Sequence, residues 1–260
     1  MLEAQDIANS GWDYTNSNSY ITLSMWVRSS VAQTFYWIAH SLDGTAKRYP
    51  FAVTLAANTW TKVEQSFPGN ASLTFDDNNE EGLRLDCGLY WGTTFTTSSV
   101  PLDQWGTHTY SERTRDFDAT WANTTNATFD MTGVQLEVGS KATPFEHESY
   151  GQTLAKCQRY YQETIFTNGQ AGNSAGTNVY GNLHTIVSMR AMPTVALNGP
   201  LEVNSSGVNT TQSTMNIASY GTSSVNRFII ISNFSGLTSG KGACLRFNAN
   251  QNLITLSAEL

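Results

Sequence analysis

Tyr20-Ile-Thr-Leu-Ser-Met-Trp-Val-Arg28 is the stretch on which the fold turns. Ile21, Leu23, Met25 and Val27 fall on one side of an extended chain, and Tyr20, Thr22, Ser24, Trp26 and Arg28 on the other. A period of two marks a strand with one face on a core. Outward from it, residues 34–39 read as a second strand, dense in aromatics (Phe35, Tyr36, Trp37). Residues 49–55 form a third, with Phe51, Val53 and Leu55 alternating, and Asn58-Thr-Trp60 opens a fourth that runs through Val63 to Phe67 and stops at the turn pair Pro68-Gly69. Alternation returns from Leu83 to Trp91 after the acidic turn Asp76-Asp-Asn-Asn-Glu-Glu81. A long polar connection, 92–126, holds Trp105 and Trp121, and residues 128–138 read as a closing strand with a bulge at Gly133. Short strands between turn signals predict an all-β sandwich or jelly roll.

Composition agrees with this reading. Charged residues make up only 13% of the 260-residue chain, about half the usual share. Asn, Ser, Thr and Gly take their place, and short polar side chains compete for nearby backbone groups, so they favour turns and strand faces over helix interiors. The net charge of −7, with 14 scattered basic residues, argues against nucleic acid, which needs clustered cations to displace phosphate counterions. No run approaches the ~18 apolar residues of a membrane span. The opening MLEAQDIANS lacks the basic start and apolar stretch of a signal peptide. Three cysteines cannot close a disulfide framework. Cys87, alternating with Leu83, Leu85 and Leu89, reads as a buried structural thiol. The sequons at Asn70 and Asn126 follow from the abundance of Asn, Ser and Thr.

One short helix is expected at 151–164, where Leu154, Cys157, Tyr160 and Tyr161 stand at helical spacing. It would join a first domain, 1–148, through a linker, 149–166, to a second domain, 167–260. From residue 165 onward the chain carries six charges: Arg190, Glu202, Arg227, Lys241, Arg246 and Glu259. Strands are expected there at 182–189, 194–197, 227–233, 243–247 and 253–258, making a second, smaller β-sandwich-like domain. A region so short and polar has a thin core of its own. Burial against copies of itself would supply the missing apolar contact, so a homo-oligomer, in particular a homotrimer, is expected.

The segments Phe129-Asp-Met-Thr-Gly-Val-Gln-Leu-Glu-Val-Gly139, Ala142-Thr-Pro-Phe-Glu146 and Leu154-Ala-Lys-Cys-Gln-Arg-Tyr-Tyr161 together resemble a junction common in tail-fibre and other virion proteins of tailed bacteriophages. There a carbohydrate-binding-module-like jelly roll ends with the first two blocks and leads into the third. Leu23-Ser-Met-Trp-Val-Arg-Ser-Ser30 and Asn58-Thr-Trp-Thr-Lys-Val63 are similar to the same module, and Met189-Arg-Ala-Met-Pro-Thr-Val195 and Ala258-Glu-Leu260 to the small C-terminal domain. The resemblance runs from about Leu2 to Leu260 and implies a virion surface protein, with the tail fibre favoured over the capsid. One departure stands out. Similar modules carry further strands before the part resembling Leu2-Glu-Ala-Gln-Asp-Ile-Ala-Asn-Ser-Gly-Trp12, and a full-length fibre would need a tail-attachment segment; neither is visible.

Catalytic patterns are weak. Asp76, Asp77, Glu80 and Glu81 sit in an Asn-rich turn and read as a solvated loop; Ca²⁺ is the alternative occupant, without an EF-hand spacing. Glu137, Glu146, Glu148 and His147 lie in the junction, where structural roles are expected. His40, His108, His147 and His184 lack metal-ligand spacing, and no phosphate loop or Ser-nucleophile motif occurs. No enzyme and no cofactor are expected.

Glycan binding is the functional expectation, because aromatic faces stack on pyranose rings beside a few polar groups. Trp26 and Arg28 lie on the face of their strand that the core does not use, and Tyr36, Tyr90, Trp91 and Trp105 complete the candidate set. The leading function is a tail-fibre or receptor-binding component that recognises bacterial surface polysaccharide in several copies. The alternatives are a capsid decoration or cement protein and the carbohydrate-binding module of a polysaccharide-active enzyme. Expected partners are copies of itself, other virion proteins and host glycans, without membrane insertion.

Overall fold

The computed structural model describes residues 1–164, 170–175, 178–199, 201–205, 208–212, 216–217, 227–234, 237, 240–247 and 253–259. Residues 165–166 of the expected linker and the terminal Leu260 lie outside them. The chain forms two compact units, 1–147 and 148–259, and antiparallel strands dominate both.

The first unit runs β1 (Leu2–Glu3), α1 (Ala4–Ala8), β2 (Tyr20–Ser29), β3 (Gln33–Ser41), β4 (Lys47–Leu55), β5 (Thr61–Pro68), β6 (Glu81–Asp86), β7 (Gly106–Thr107), α2 (Thr120–Asn123) and β8 (Phe129–Val138). A five-stranded sheet has the order β1-β6-β3-β4-β7, and a three-stranded sheet the order β5-β2-β8. The chain changes sheet at β1–β2, β2–β3, β4–β5, β5–β6 and β7–β8, as jelly-roll connectivity demands. Ile21, Leu23, Met25 and Val27 of β2 meet Phe35, Trp37 and Ala39 of β3 and Tyr49, Phe51, Val53 and Leu55 of β4 in one buried core. The alternation read from the sequence is thus the alternation that packs. Trp12 and Ile7 close one part of this core.

Gly133 is the bulge that the sequence predicts. Its φ of 61° is left-handed, open to glycine at little cost, and the β2–β8 register slips there between Ser24 and Trp26. The free face of β2 departs from expectation. Thr22 and Ser24 are buried as deeply as the core face, because the chain after β8 folds back over them. Thr22 Oγ1 donates to the Gly139 carbonyl at 2.7 Å. Glu137 latches this return segment, its carboxylate accepting from Thr143 N at 2.6 Å and Thr143 Oγ1 at 2.7 Å. Those bonds, with weaker support from Gln135 and Lys62, hold the Glu137 carboxyl below its ordinary value.

A second departure concerns the strand expected at 83–91. Pairing stops at Asp86, and the connection that follows returns to the edge of the same sheet as β7 and also covers part of its outer face. Ile38 and His40 are buried although the sandwich core does not include them. Phe117 meets Tyr36 edge-on at 5.7 Å, His108 stacks on His40 at 4.9 Å, and Asp103 N donates to the Pro50 carbonyl at 2.8 Å. Part of the polar connection is therefore a third layer.

Among its described residues the second unit contains α3 (Tyr150–Gln158) and ten strands: β9 (Tyr161–Thr164), β10 (Gln170–Ala175), β11 (Asn178–His184), β12 (Thr194–Asn198), β13 (Leu201–Ser205), β14 (Val208–Gln212), β15 (Asn216–Ile217), β16 (Arg227–Asn233), β17 (Gly242–Phe247) and β18 (Leu253–Ser257). Seven form the sheet β14-β13-β17-β10-β11-β16-β15 and three the sheet β12-β18-β9. The expected helix is half right: Ser149 and Gln152 form a capping box, but the helix ends at Gln158 and residues 161–164 pair with β18. Gln162 explains the switch, since its buried amide donates to the Gln158 and Val187 carbonyls and accepts from Ile186 N, all at 2.9 Å. Among the described residues its core includes Val179, Met189, Val203, Phe234, Ile254, Leu256 and Ala258.

Candidate functional site

The structure distributes the six candidate residues over three places. Trp105 belongs to the core edge: its ring meets Tyr49 at 5.4 Å, and Nε1 donates to the Pro68 carbonyl at 2.6 Å. Trp26 and Arg28 lie on the outer face of the three-stranded sheet. Arg28 pairs with Asp130 at 3.0 Å, and its guanidinium lies 5.1 Å from the ring of Trp60, which the sequence reading passed over. Trp26 and Trp60 are 43% and 42% exposed. Arg28–Asp130 is an exposed pair and contributes little stability.

Tyr36, Tyr90 and Trp91 come together on the outer face of the five-stranded sheet. All three pack against Phe117, at 5.7, 6.4 and 6.2 Å. Beside them an open groove of about 390 Å³ is lined by Arg84, Asp86, Cys87, Gly88, Trp91 and Arg113. β6 supplies Arg84 and Asp86, the turn after it supplies Gly88 and Trp91, and the overlying layer supplies Arg113. The guanidinium of Arg113 is held among rings, 5.4 Å from Trp91, 5.4 Å from Phe95 and 5.1 Å from Tyr110. Such cation–π contacts fix its position without using its N–H groups.

Gly88 sets the wall. A Cβ there would overlap the Trp91 indole at Nε1 and Cε2, with Cδ1 at 2.9 Å, so only glycine lets the indole close on the turn. The Gly88 carbonyl accepts from Trp37 Nε1 at 3.2 Å, which ties the groove to the sandwich core. Cys87, beside it, is pushed up to about 12 by burial and by the charge of Asp86, so its thiol stays protonated and unreactive at neutral pH.

Behind the groove, His40 Nε2 and Asp86 Oδ2 are 3.0 Å apart. Because a carboxylate can only accept, Nε2 carries the proton, which leaves the buried His40 Nδ1 without a protein partner. Burial alone would raise the Asp86 carboxyl, but the hydrogen bond and charge of His40, with Arg84 and Arg113, hold it below its ordinary value. His108 is pushed down to about 4, first by burial and then by His40, Arg113 and Arg48, against the opposing charge of Asp86.

This depression has a sign. An unfolded imidazole titrates near 6.5, so as pH falls from about 6.5 to about 4 the unfolded chain takes up a proton that the folded chain refuses. Stability is therefore lost over that window, by on the order of 1–2 kcal/mol once screening at the partly exposed ring is allowed for. His108→Gln is expected to flatten the melting temperature between pH 7 and pH 4. Parallel wild-type and variant curves would remove His108 as the cause.

The remaining candidates have structural employment. Asp77 accepts from Asn9 Nδ2 at 2.9 Å, and the Asn78 and Glu80 carbonyls accept from Gln5 N and Ala4 N at 2.9 Å, so the acidic turn docks α1. Glu146 N donates to Gln135 Oε1 at 2.8 Å, and Glu148 pairs with Lys156. Among the described residues no three His, Cys, Asp or Glu side chains converge in a way that would hold a metal ion, and no helix is long and apolar enough to cross a membrane. Arg113 and Phe117 carried no sequence signal, because nothing periodic marks a side chain delivered by an overlying loop, and Arg84, though on a predicted strand, was passed over. Set against models of protein families and against curated proteins, the chain matches none.

Proposed function

We propose that the chain is a non-catalytic virion surface protein of a tailed bacteriophage, a tail-fibre or receptor-binding component that recognises host surface glycans through the Trp91 groove. The observation that carries this reading is the groove itself: a partly exposed indole fixed by Gly88 and Arg113, with Tyr90 exposed beside it and Asp86 and Arg84 on its walls. Pyranose recognition uses this combination of aromatic face and convergent polar groups. The resemblance of residues 129–161 to phage junctions supports the virion assignment. The short, polar and charge-poor sequence of residues 165–260 supports self-association there, as a trimer, which would multiply weak single-site affinities.

A glycan array read with wild type, Trp91→Ala and Trp26→Ala tests this. Loss of about tenfold in apparent affinity is expected for Trp91→Ala, in line with a stacking contact of about 1.5 kcal/mol, with Trp26→Ala close to wild type. Retained binding in Trp91→Ala would sink the groove assignment.

A second reading, capsid decoration, draws on β8. This edge strand exposes Met131, Val134 and Val138, and an apolar edge invites pairing with another protein. Electron microscopy of labelled particles separates the two, since it places the protein on the tail or on the head.

A further inference from the structure

Resting on the reading of the groove as a glycan site, we infer that its ligand is a sugar carrying an anionic substituent, with the negative group held by Arg113 and Arg84. Three rings hold the Arg113 guanidinium, yet among the described residues no carboxylate lies within ion-pair distance of it. Its Nε is buried without a protein partner, and so is the Nε of Arg84, the second guanidinium lining the groove. A buried guanidinium N–H left unmatched is costly, and planar anions match the Arg fork with two parallel hydrogen bonds.

The competing charges leave room for this. Arg84 keeps Glu81 as its ion-pair partner and also reaches the sulfur of Met1, both through Nη2, so its buried Nε stays unmatched. Asp86 also lines the groove and keeps its negative charge, held ionised by the hydrogen bond and charge of His40 with Arg84 and Arg113; on that wall it serves as an acceptor for sugar hydroxyls, which leaves an anionic substituent to the Arg113 side. The arrangement thus offers two unspent cationic donors, one satisfied carboxylate and an aromatic face. A neutral sugar would leave both Nε donors unmatched. An acidic sugar uses all four.

Carboxylate and phosphate share this chemistry, and bacterial surfaces present both, in uronic-acid capsules and in glycerol-phosphate polymers. The test measures binding of the full chain to oligogalacturonate, to a glycerol-phosphate oligomer and to a neutral maltooligosaccharide of matched length, across a salt series. At least one anionic oligomer is expected to bind about tenfold or more tightly than the neutral one and to weaken as salt rises. Arg113→Gln is expected to lower anionic affinity to the neutral level and abolish the salt dependence, while Arg113→Lys recovers part of both; unchanged melting temperatures confirm that each variant is folded. Whichever anionic arm binds identifies the substituent. Neutral binding that equals anionic binding and survives Arg113→Gln would overturn the anionic inference and leave glycan recognition standing. Binding to none of the three would overturn both.

Discussion

Replacing Trp37 by alanine is expected to lower the melting temperature of residues 1–147 by about 10–20 °C. The side chain is 0% exposed and sits at the centre of an aromatic chain joining the two sheets. Its ring meets Phe51 at 6.1 Å and Phe129 at 6.0 Å, both edge-on. Phe51 continues to Phe67 on the opposite sheet, and Phe67 to Tyr49. Removing a buried indole costs about 3–5 kcal/mol in lost transfer and cavity formation. The orphaned Gly88 carbonyl, which accepts from Nε1, adds about 1 kcal/mol. A total near 5 kcal/mol is a large part of the ~5–15 kcal/mol that holds an ordinary domain together, and about 2–4 °C per kcal/mol gives the stated shift. Calorimetry on the full chain checks it. Trp37→Phe, which keeps the packing and loses only the indole donor and some volume, is expected to recover more than half. A drop of only a few degrees in Trp37→Ala would mean that the two sheets do not depend on this ring.

The strands around Trp37 were readable because each obeys one simple demand, that alternate side chains face one core. β2, β3, β4 and β5 all show it, and Gly133 announced its own bulge. Where the chain answers to a second layer the pattern misleads. Leu83, Leu85, Cys87 and Leu89 continue the alternation past Asp86, yet the backbone leaves the sheet there because the Gly88 carbonyl is taken by Trp37 and the Trp91 indole closes on Gly88. The helix expected at 151–164 failed at its end for a related reason: Tyr160 and Tyr161 fit a helical stripe, but Gln162 is claimed by backbone groups from Gln158, Ile186 and Val187. β10, β13, β14 and β15 went unread because stretches such as Val208-Asn-Thr-Thr-Gln212 have too few apolar side chains to show any period. The site was half legible in the same sense. Tyr36, Tyr90 and Trp91 are conspicuous aromatics, but Arg113 and Phe117 reach them only through tertiary packing, and the burial of Trp105 depends on a carbonyl 37 residues away.

Gly88→Ala is expected to abolish ligand binding in the groove while leaving the fold intact. The added methyl overlaps the indole of Trp91, so either the backbone or the ring must move. The backbone is anchored, since the Gly88 carbonyl is bonded to the buried Trp37 and β6, two residues earlier, is paired with β3. The ring is held more weakly, against the partly exposed Phe117 and Arg113, so it swings out and takes the stacking surface and the Arg113 position with it. Loss of a stacked sugar contact and of a charge-assisted hydrogen bond together amounts to about 2–4 kcal/mol, a factor of some tens to hundreds in affinity, against a melting shift of only a few degrees. Gly106→Ala is the control, because a Cβ there meets nothing within 4 Å. Two readouts keep the prediction sharp: the emission difference between Gly88→Ala and Gly88→Ala/Trp91→Phe reports where the indole has gone, and titration with the oligomer that wild type prefers reports the site. An indole emission unchanged from wild type would show that the backbone yields instead. A displaced indole with full affinity would show that the ligand binds elsewhere on the protein.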